Sequence, residues 1–220
     1  MSIVDNKTLR KLSLTDLSPI VNIHRECFPN SRSTSLGPFF LKKMYRWYLL
    51  YEPDLAFGVA IDNNLVGFVT GSISGSSRKR FKYAFFEILF AFVLYPHLIF
   101  KPDIFEEWQG YLMSILVWPK KNNYLVSSSP QTTGVVSPLP IKAALDSIAV
   151  SSYARGEGIG KMLVNAFEVA AQQKGAGFMS LGVEYDNLAA RRLYENCGWH
   201  VVHEDKAKNT ASYHKMILEN

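Results

Sequence analysis

Arg155-Gly156-Glu157-Gly158-Ile159-Gly160-Lys161 stands between two readable elements. Upstream, Ala143 to Val150 has the length and apolar character of a strand. Downstream, Gly158 to Lys174 reads as a helix, with Ile159, Leu163, Ala166, Phe167 and Ala170 along one face. Gly175-Ala176-Gly177 closes that helix. Glycines permit positive φ and let the backbone approach a bulky ligand closely. Successive amides at a helix N-terminus form an anion nest. The loop therefore reads as a phosphate or pyrophosphate site.

Two common glycine motifs do not fit it. A dinucleotide fingerprint starting at Gly156 needs its third glycine where Lys161 stands. A P-loop needs glycine at the place of Arg155 and Ser or Thr at the place of Met162.

Beyond the loop, Phe178 to Tyr185 reads as a strand and Asn187 to Asn196 as a short helix closed by Gly198. Trp199 to His203 and Ser212 to Leu218 complete the chain as strands. Strand, helix, strand and helix in succession imply a parallel pair inside an α/β sheet. Before the loop, Thr8 to Leu12 is a short strand. A helix begins at Thr15-Asp16, with Ser or Asp available to cap it, and stops at Phe28-Pro29. Ser31 to Ser35 reads as a polar loop and Leu36 to Leu50 as an aromatic-rich helix. Ala56 to Ile61 and Leu65 to Ile73 form a hairpin around Asp62-Asn63-Asn64.

The loop and its neighbours resemble the GNAT superfamily of acetyl-CoA-dependent N-acetyltransferases. Arg155 to Gly160 matches its R-x-x-G-x-G signature, Leu145 to Val150 its preceding strand, and Asn187 to Trp199 its N-x-x-A…Y-x-x-x-G-[FW] segment. All three occur in order over residues 143 to 218. The resemblance implies an α/β (α+β) fold with a mixed central sheet flanked by helices, spanning residues 1–220 as one domain. It implies acetyl-CoA as acetyl donor. Ile148, Ala149 and Val150 would hydrogen-bond the pantetheine arm through their backbone. Arg155, Gly156, Glu157, Gly158, Ile159, Gly160 and Lys161 would hold the pyrophosphate. Asn187 would cap its helix and meet the pantetheine. Tyr194 matches the family's general acid; an unperturbed tyrosine, with a pKa of about 10, carries its proton at neutral pH. A core tyrosine packing the helix is the plainer reading of the same residue. Arg191 and Arg192 suit either CoA phosphates or a solvated face.

The acceptor amine must lose a proton before it attacks the thioester. Asp146 is the first candidate base, because alternation sets Asp146, Ile148 and Val150 on one face. An aspartate satisfying backbone amides at the strand entry fits equally. Glu184 follows as second candidate, then Glu87 and His97. Phe28 and Ser31 lie where family members contact the acceptor. Cys197 reads as a small buried residue, and His200 and His203 lack the further ligands of a metal site, so no metal is expected.

The sequence departs from compact members between the third and fourth strands. Residues 75–140 form an insertion, expected to hold two helices (Phe81 to Phe100 and Pro102 to Trp118) and a loop (Pro119 to Pro140). The first is apolar except for Lys82, Glu87 and His97. Its charges and Pro96 argue against a free-standing membrane span, although the basic Arg78-Lys79-Arg80 before it keeps membrane-surface contact open. A lid, an acceptor pocket or a homodimer contact are its other readings.

Composition narrows the classes. The 220 residues are 48% hydrophobic and 20% charged, a globular balance. The net charge of +5 suits an anionic ligand, but the basic residues do not fill one helix face, which argues against nucleic acid. Cys27 and Cys197 build no disulfide framework, and the N-terminus lacks a signal-peptide pattern; a cytoplasmic protein is expected. The function expected is N-acetyl transfer to a primary amine of a small molecule, an amino sugar or nucleotide-linked amino sugar being one class. The alternatives are a protein or peptide N-acetyltransferase and a non-catalytic CoA-binding regulatory module.

Overall fold

The computed structural model describes residues 7–73, Tyr83 and residues 141–217. Seven strands form one mixed sheet in the order β1-β2-β3-β4-β5-β7-β6. They are β1 (Lys7–Lys11), β2 (Ala56–Ile61), β3 (Asn64–Ile73), β4 (Ile141–Val150), β5 (Ala176–Glu184), β6 (His200–Asp205) and β7 (Thr210–Met216). Every neighbouring pair is antiparallel except β4–β5. That parallel pair is the one the strand–helix–strand pattern requires.

Helices cover both faces of the sheet. Along β3, Phe68 joins the cluster of α1 (Leu17–Cys27) and α3 (Gly37–Tyr51), while Val69 joins the cluster of α4 (Ile159–Gln173). The pleat sends successive side chains to opposite faces. Ile20, Leu41, Tyr45 and Phe68 fill one side, and Leu163, Phe167, Val59 and Val69 the other. Each such side chain contributes about 1.5–3 kcal/mol when fully buried. A last helix, α5 (Leu188–Asn196), follows β5.

Gly71 marks how closely α4 approaches β3. A Cβ there would collide with the Phe167 ring and stand 2.6 Å from the carbonyl oxygen of Ala144. Backbone cannot give way as a flexible side chain can. Gly71→Ala is therefore expected to lower stability by about 1–3 kcal/mol, as overpacking does, read as a lower urea midpoint at unchanged slope.

Two local features differ from the sequence reading. Ser31 to Ser35 is not a loop: Ser31 caps a one-turn helix, α2 (Arg32–Ser35), its Oγ accepting from the amide of Thr34 at 3.2 Å. The strong N-capping preference of serine outweighed the polar composition. Second, β4 carries a bulge. Thr70 pairs with Ser147 and Gly71 with Leu145, so Asp146 is the extra residue of the bulge in the ladder.

The expected start at Thr15-Asp16 is instead a 3-10 turn, Leu14–Asp16, and α1 follows it from Leu17. Asp16 accepts from the Ser13 amide at 2.8 Å and from Arg10 at 2.6 and 2.8 Å. The hairpin turn also forms, with Asp62 and Asn63 both at positive φ. The insertion leaves between β3 and β4, as the sequence indicates, and its two expected helices and loop lie outside the described residues. Tyr83 alone belongs to the description. It is helical and rests against Tyr51, ring centroids 5.7 Å apart, with Lys43 4.5 Å above its ring.

Candidate active site

The parallel ladder between β4 and β5 runs only from Ile141↔Ala176 to Leu145↔Leu181. Past that point β4 stays with β3, and β5 stays with β7. The two strands part, and a cleft of about 710 Å³ opens between them. Leu145 to Val150 line one wall and Gly182 to Glu184 the other. The glycine loop lies at one end, and His24, Cys27, Phe28 and Ser31 also line the cleft.

The loop is shaped to receive an anion. Gly156 and Gly158 have φ of +84° and +74°, and a Cβ on either would meet nothing within 4 Å. Gly158 is the N-cap of α4, so the first amides of that helix lack intrahelical acceptors. Neighbours pin the loop. Lys7 pairs with Glu157 at 2.9 Å. Arg155 Nε donates to the Val150 carbonyl at 3.1 Å, and Glu26 accepts from the Ser152 amide at 2.7 Å. An open glycine cradle, a helix N-terminus and parted strands in one cleft fit a long phosphorylated cofactor such as acetyl-CoA.

The residues singled out in the sequence mostly meet here. Ile148, Ala149, Val150, Arg155, Gly156, Gly158, Ile159, Gly160, Lys161, Asn187 and Tyr194 all line the cleft, as do Asp146, Glu184, Phe28 and Ser31. Glu157 is not among the lining residues; its carboxylate turns to Lys7. Asn187 caps α5, accepting from the Ala190 amide at 3.1 Å. Glu87 and His97 lie outside the described residues.

Tyr194 is 4% exposed, packed between Trp199 and Tyr213 with ring centroids 6.2 and 6.0 Å away. Burial, and to a lesser extent Cys197, pushes its pKa well above the ordinary tyrosine value. It therefore keeps its proton across the neutral range. Its hydroxyl makes no hydrogen bond to another side chain or carbonyl among the described residues. Arg191, by contrast, is engaged elsewhere. It donates to Tyr213 at 3.0 Å and to the Tyr185 carbonyl at 3.1 Å, and it pairs with Glu204. Its guanidinium braces α5 to the turn after β5 and to β6 and β7.

Asp146 does not share the face of Ile148 and Val150 that strand alternation predicts for it. The bulge breaks the alternation that would have grouped it with Ile148 and Val150. Those two pack toward the α4 cluster. The Asp146 carboxylate accepts from Ser72 Oγ at 2.5 Å, on the face that Phe68 and Thr70 also occupy.

One buried polar residue escaped the sequence reading. His24 is 5% exposed yet lines the cleft. Its Nδ1 lies 2.6 Å from Tyr45 Oη, and its Nε2 lies 3.1 Å from Ser33 Oγ. Burial lowers its pKa to about 4, so the ring is neutral at physiological pH. The signal was present: His24 interrupts the apolar face Ile20, Val21, Ile23, Cys27 of α1.

The model of the acetyltransferase (GNAT) family matches residues 17–199. Among solved structures, the PaiA N-acetyltransferase from Thermoplasma acidophilum in complex with coenzyme A is 16% identical. It aligns at a TM-score of 0.56 over 99% of this chain and 100% of its own. The ribosomal-protein-alanine N-acetyltransferase from Brucella melitensis is 14% identical, with a TM-score of 0.55 over 96% of this chain and 99% of its own. YncA, a putative acetyltransferase from Salmonella typhimurium with its cofactor acetyl-CoA, is 12% identical, with a TM-score of 0.56 over 98% of this chain and 96% of its own. At such identities the likeness is one of fold. A search of curated proteins gives no match.

Proposed function

The chain belongs to the acetyltransferase (GNAT) family, and from that premise we propose that its acceptor is a primary amine on a small molecule, an amino sugar or nucleotide-linked amino sugar being the class first in line. The reaction class itself, acyl transfer from acetyl-CoA to an amine, comes with the family. The observation that carries the acceptor proposal is the size of the cleft. Its volume of about 710 Å³ lies within the ordinary range for small-molecule sites and must also admit the donor's arm. Phe28 and Ser31, just before the short turn of α2, line the proposed acceptor end, and Thr34 Oγ1 ties that turn down by donating to the Phe28 carbonyl at 2.8 Å.

When bound, acetyl-CoA supplies the activated acetyl group. The amides from Arg155 to Gly160, with Lys161, hold its pyrophosphate. The backbone of Ile148, Ala149 and Val150 fixes the pantetheine arm, and Asn187 adds a contact from the opposite wall. Tyr194, neutral at working pH, donates its proton to the leaving sulfur. Asp146 takes the amine's surplus proton through a water, and Glu184 is the second candidate for that task. Phe28 and Ser31 face the acceptor.

A second reading has its own support. The fold is shared with the ribosomal-protein-alanine N-acetyltransferase and with the NatC complex bound to Gag peptide and CoA. A peptide α-amine is its acceptor. A panel of glucosamine, a nucleotide-linked amino sugar, spermidine and short peptides with free α-amines separates the two, with thiol release from acetyl-CoA as readout. Turnover of an amino sugar or polyamine supports the proposal. Turnover of peptides alone overturns it in favour of the second reading.

A further inference from the structure

A row of hydroxyls connects α2 to the bulged strand through His24, and the count of hydrogens that makes every contact a bond gives each one a direction. It begins at the carbonyl of Phe28, which can only accept. Thr34 Oγ1 lies 2.8 Å from that oxygen and so gives its hydrogen there. Ser31 Oγ is 3.0 Å from Thr34 Oγ1; with the threonine hydrogen committed, Ser31 must donate. Ser31 and Ser33 hydroxyls are 3.1 Å apart, so Ser33 supplies the hydrogen of that contact.

His24 Nε2 faces Ser33 Oγ at 3.1 Å and Ser31 Oγ at 3.4 Å. With both hydroxyl hydrogens so placed, Nε2 carries the proton and donates it; the opposite tautomer would take the Ser33 hydrogen and leave the Ser31–Ser33 contact unbonded. A neutral imidazole has one proton only, which leaves Nδ1 bare. Tyr45 Oη, 2.6 Å away, then donates to Nδ1. Ser147 Oγ lies 3.1 Å from Tyr45 Oη, and Ser147 must give its hydrogen to the tyrosine oxygen. The row ends at an oxygen with lone pairs alone.

Ser147 lines the cleft beside the bulge at Asp146. Its contact with Tyr45 places it on the face of the sheet packed by α1 and α3. From these directions we infer that Ser147 Oγ positions the acceptor by accepting an N–H of the incoming amine, and that His24 and Tyr45 are positioning residues that hold Ser147 in this accepting state. An amine whose N–H points at Ser147 has its lone pair turned to another side, free for attack. A serine hydroxyl with its hydrogen unassigned could instead donate to that lone pair and block it. With the row directed from Phe28 in this way, the Ser147 hydrogen is held by Tyr45. The inference rests on amine acetylation and not on which amine is acetylated.

The histidine tautomer tests it in the whole protein. Long-range ¹H–¹⁵N correlation spectra at neutral pH are expected to show His24 as the neutral form protonated at Nε2. A neutral ring protonated at Nδ1, or a charged ring, reverses or breaks the row and overturns the inference. Kinetics give a second reading with the panel amines named above. Ser147→Ala is expected to lower kcat/KM for the amine about tenfold, the scale of one hydrogen bond near a reacting group, with KM for acetyl-CoA unchanged. Ser147→Thr keeps the oxygen and restores most of the loss. Tyr45→Phe lowers the same ratio although Tyr45 does not line the cleft. Wild-type kcat/KM in Ser147→Ala refutes the assignment. Failure of every panel amine would count against the proposed acceptor, while the tautomer would still decide the direction of the row.

Discussion

Tyr194→Phe is expected to lower kcat by about 10²-fold or more, the ordinary contribution of a positioned general acid, while KM for acetyl-CoA moves little. The ring stays, so its packing on Trp199 and Tyr213 stays. Removing the hydroxyl strands no partner among the described residues, so stability should be almost unchanged. Melting curves and acetyl-CoA binding that match the wild type, beside collapsed turnover, would separate chemistry from folding. Full turnover in this variant would remove Tyr194 from the mechanism. The raised pKa adds a sign. Folded Tyr194 keeps its proton after an unfolded tyrosine, with its ordinary value of 10.0, has lost one. The unfolded chain thus binds fewer protons above that pH. The stability linked to Tyr194 is complete below about pH 10 and falls as pH rises beyond it. Tyr194→Phe should lose that alkaline decline.

The glycine loop and the helix caps around the cleft were legible in the sequence because their signals are local. A glycine with positive φ at a helix start is written in consecutive residues, and so is an Asn that caps α5. The hairpin and the parallel pair followed from the same local patterns, and the position of the insertion from an interruption in them, whereas the full strand order needed the pairing itself. The row through His24 was less legible because its contacts join distant parts of the chain. Tyr45 and Ser147 stand 102 positions apart, and nothing local to either announces the other. The face of Asp146 was misjudged for a related reason. A bulge adds one residue to a ladder, and only the register with β3 reveals it. His24 carried a visible sign, a polar ring on an apolar face. Its meaning depended on hydroxyls from α2 and α3 that no spacing rule brings together.

Gly158→Val should raise the dissociation constant for acetyl-CoA at least about tenfold, the loss expected when one hydrogen bond to a charged group goes. Two effects act at this position. A β-branched residue at φ +74° is strained, by roughly 1–2 kcal/mol. Its side chain would also stand in the open cradle, since a Cβ there meets no protein atom within 4 Å. Gly175 separates the two. It has nearly the same φ, +75°, but sits past the far end of α4 and does not line the cleft. A Cβ on it meets only Ile141 Cδ1, at an ordinary 3.9 Å. Gly175→Val should therefore destabilise the fold by a similar amount while acetyl-CoA binding stays at the wild-type level. Isothermal titration of both variants with acetyl-CoA, beside urea unfolding, reads the two quantities independently. Equal losses of binding would mean that backbone strain, and not the cradle, governs affinity. Loss in Gly158→Val alone would tie the cofactor to the α4 N-terminus, where an added side chain would take the room in front of the amides of Ile159 and Gly160.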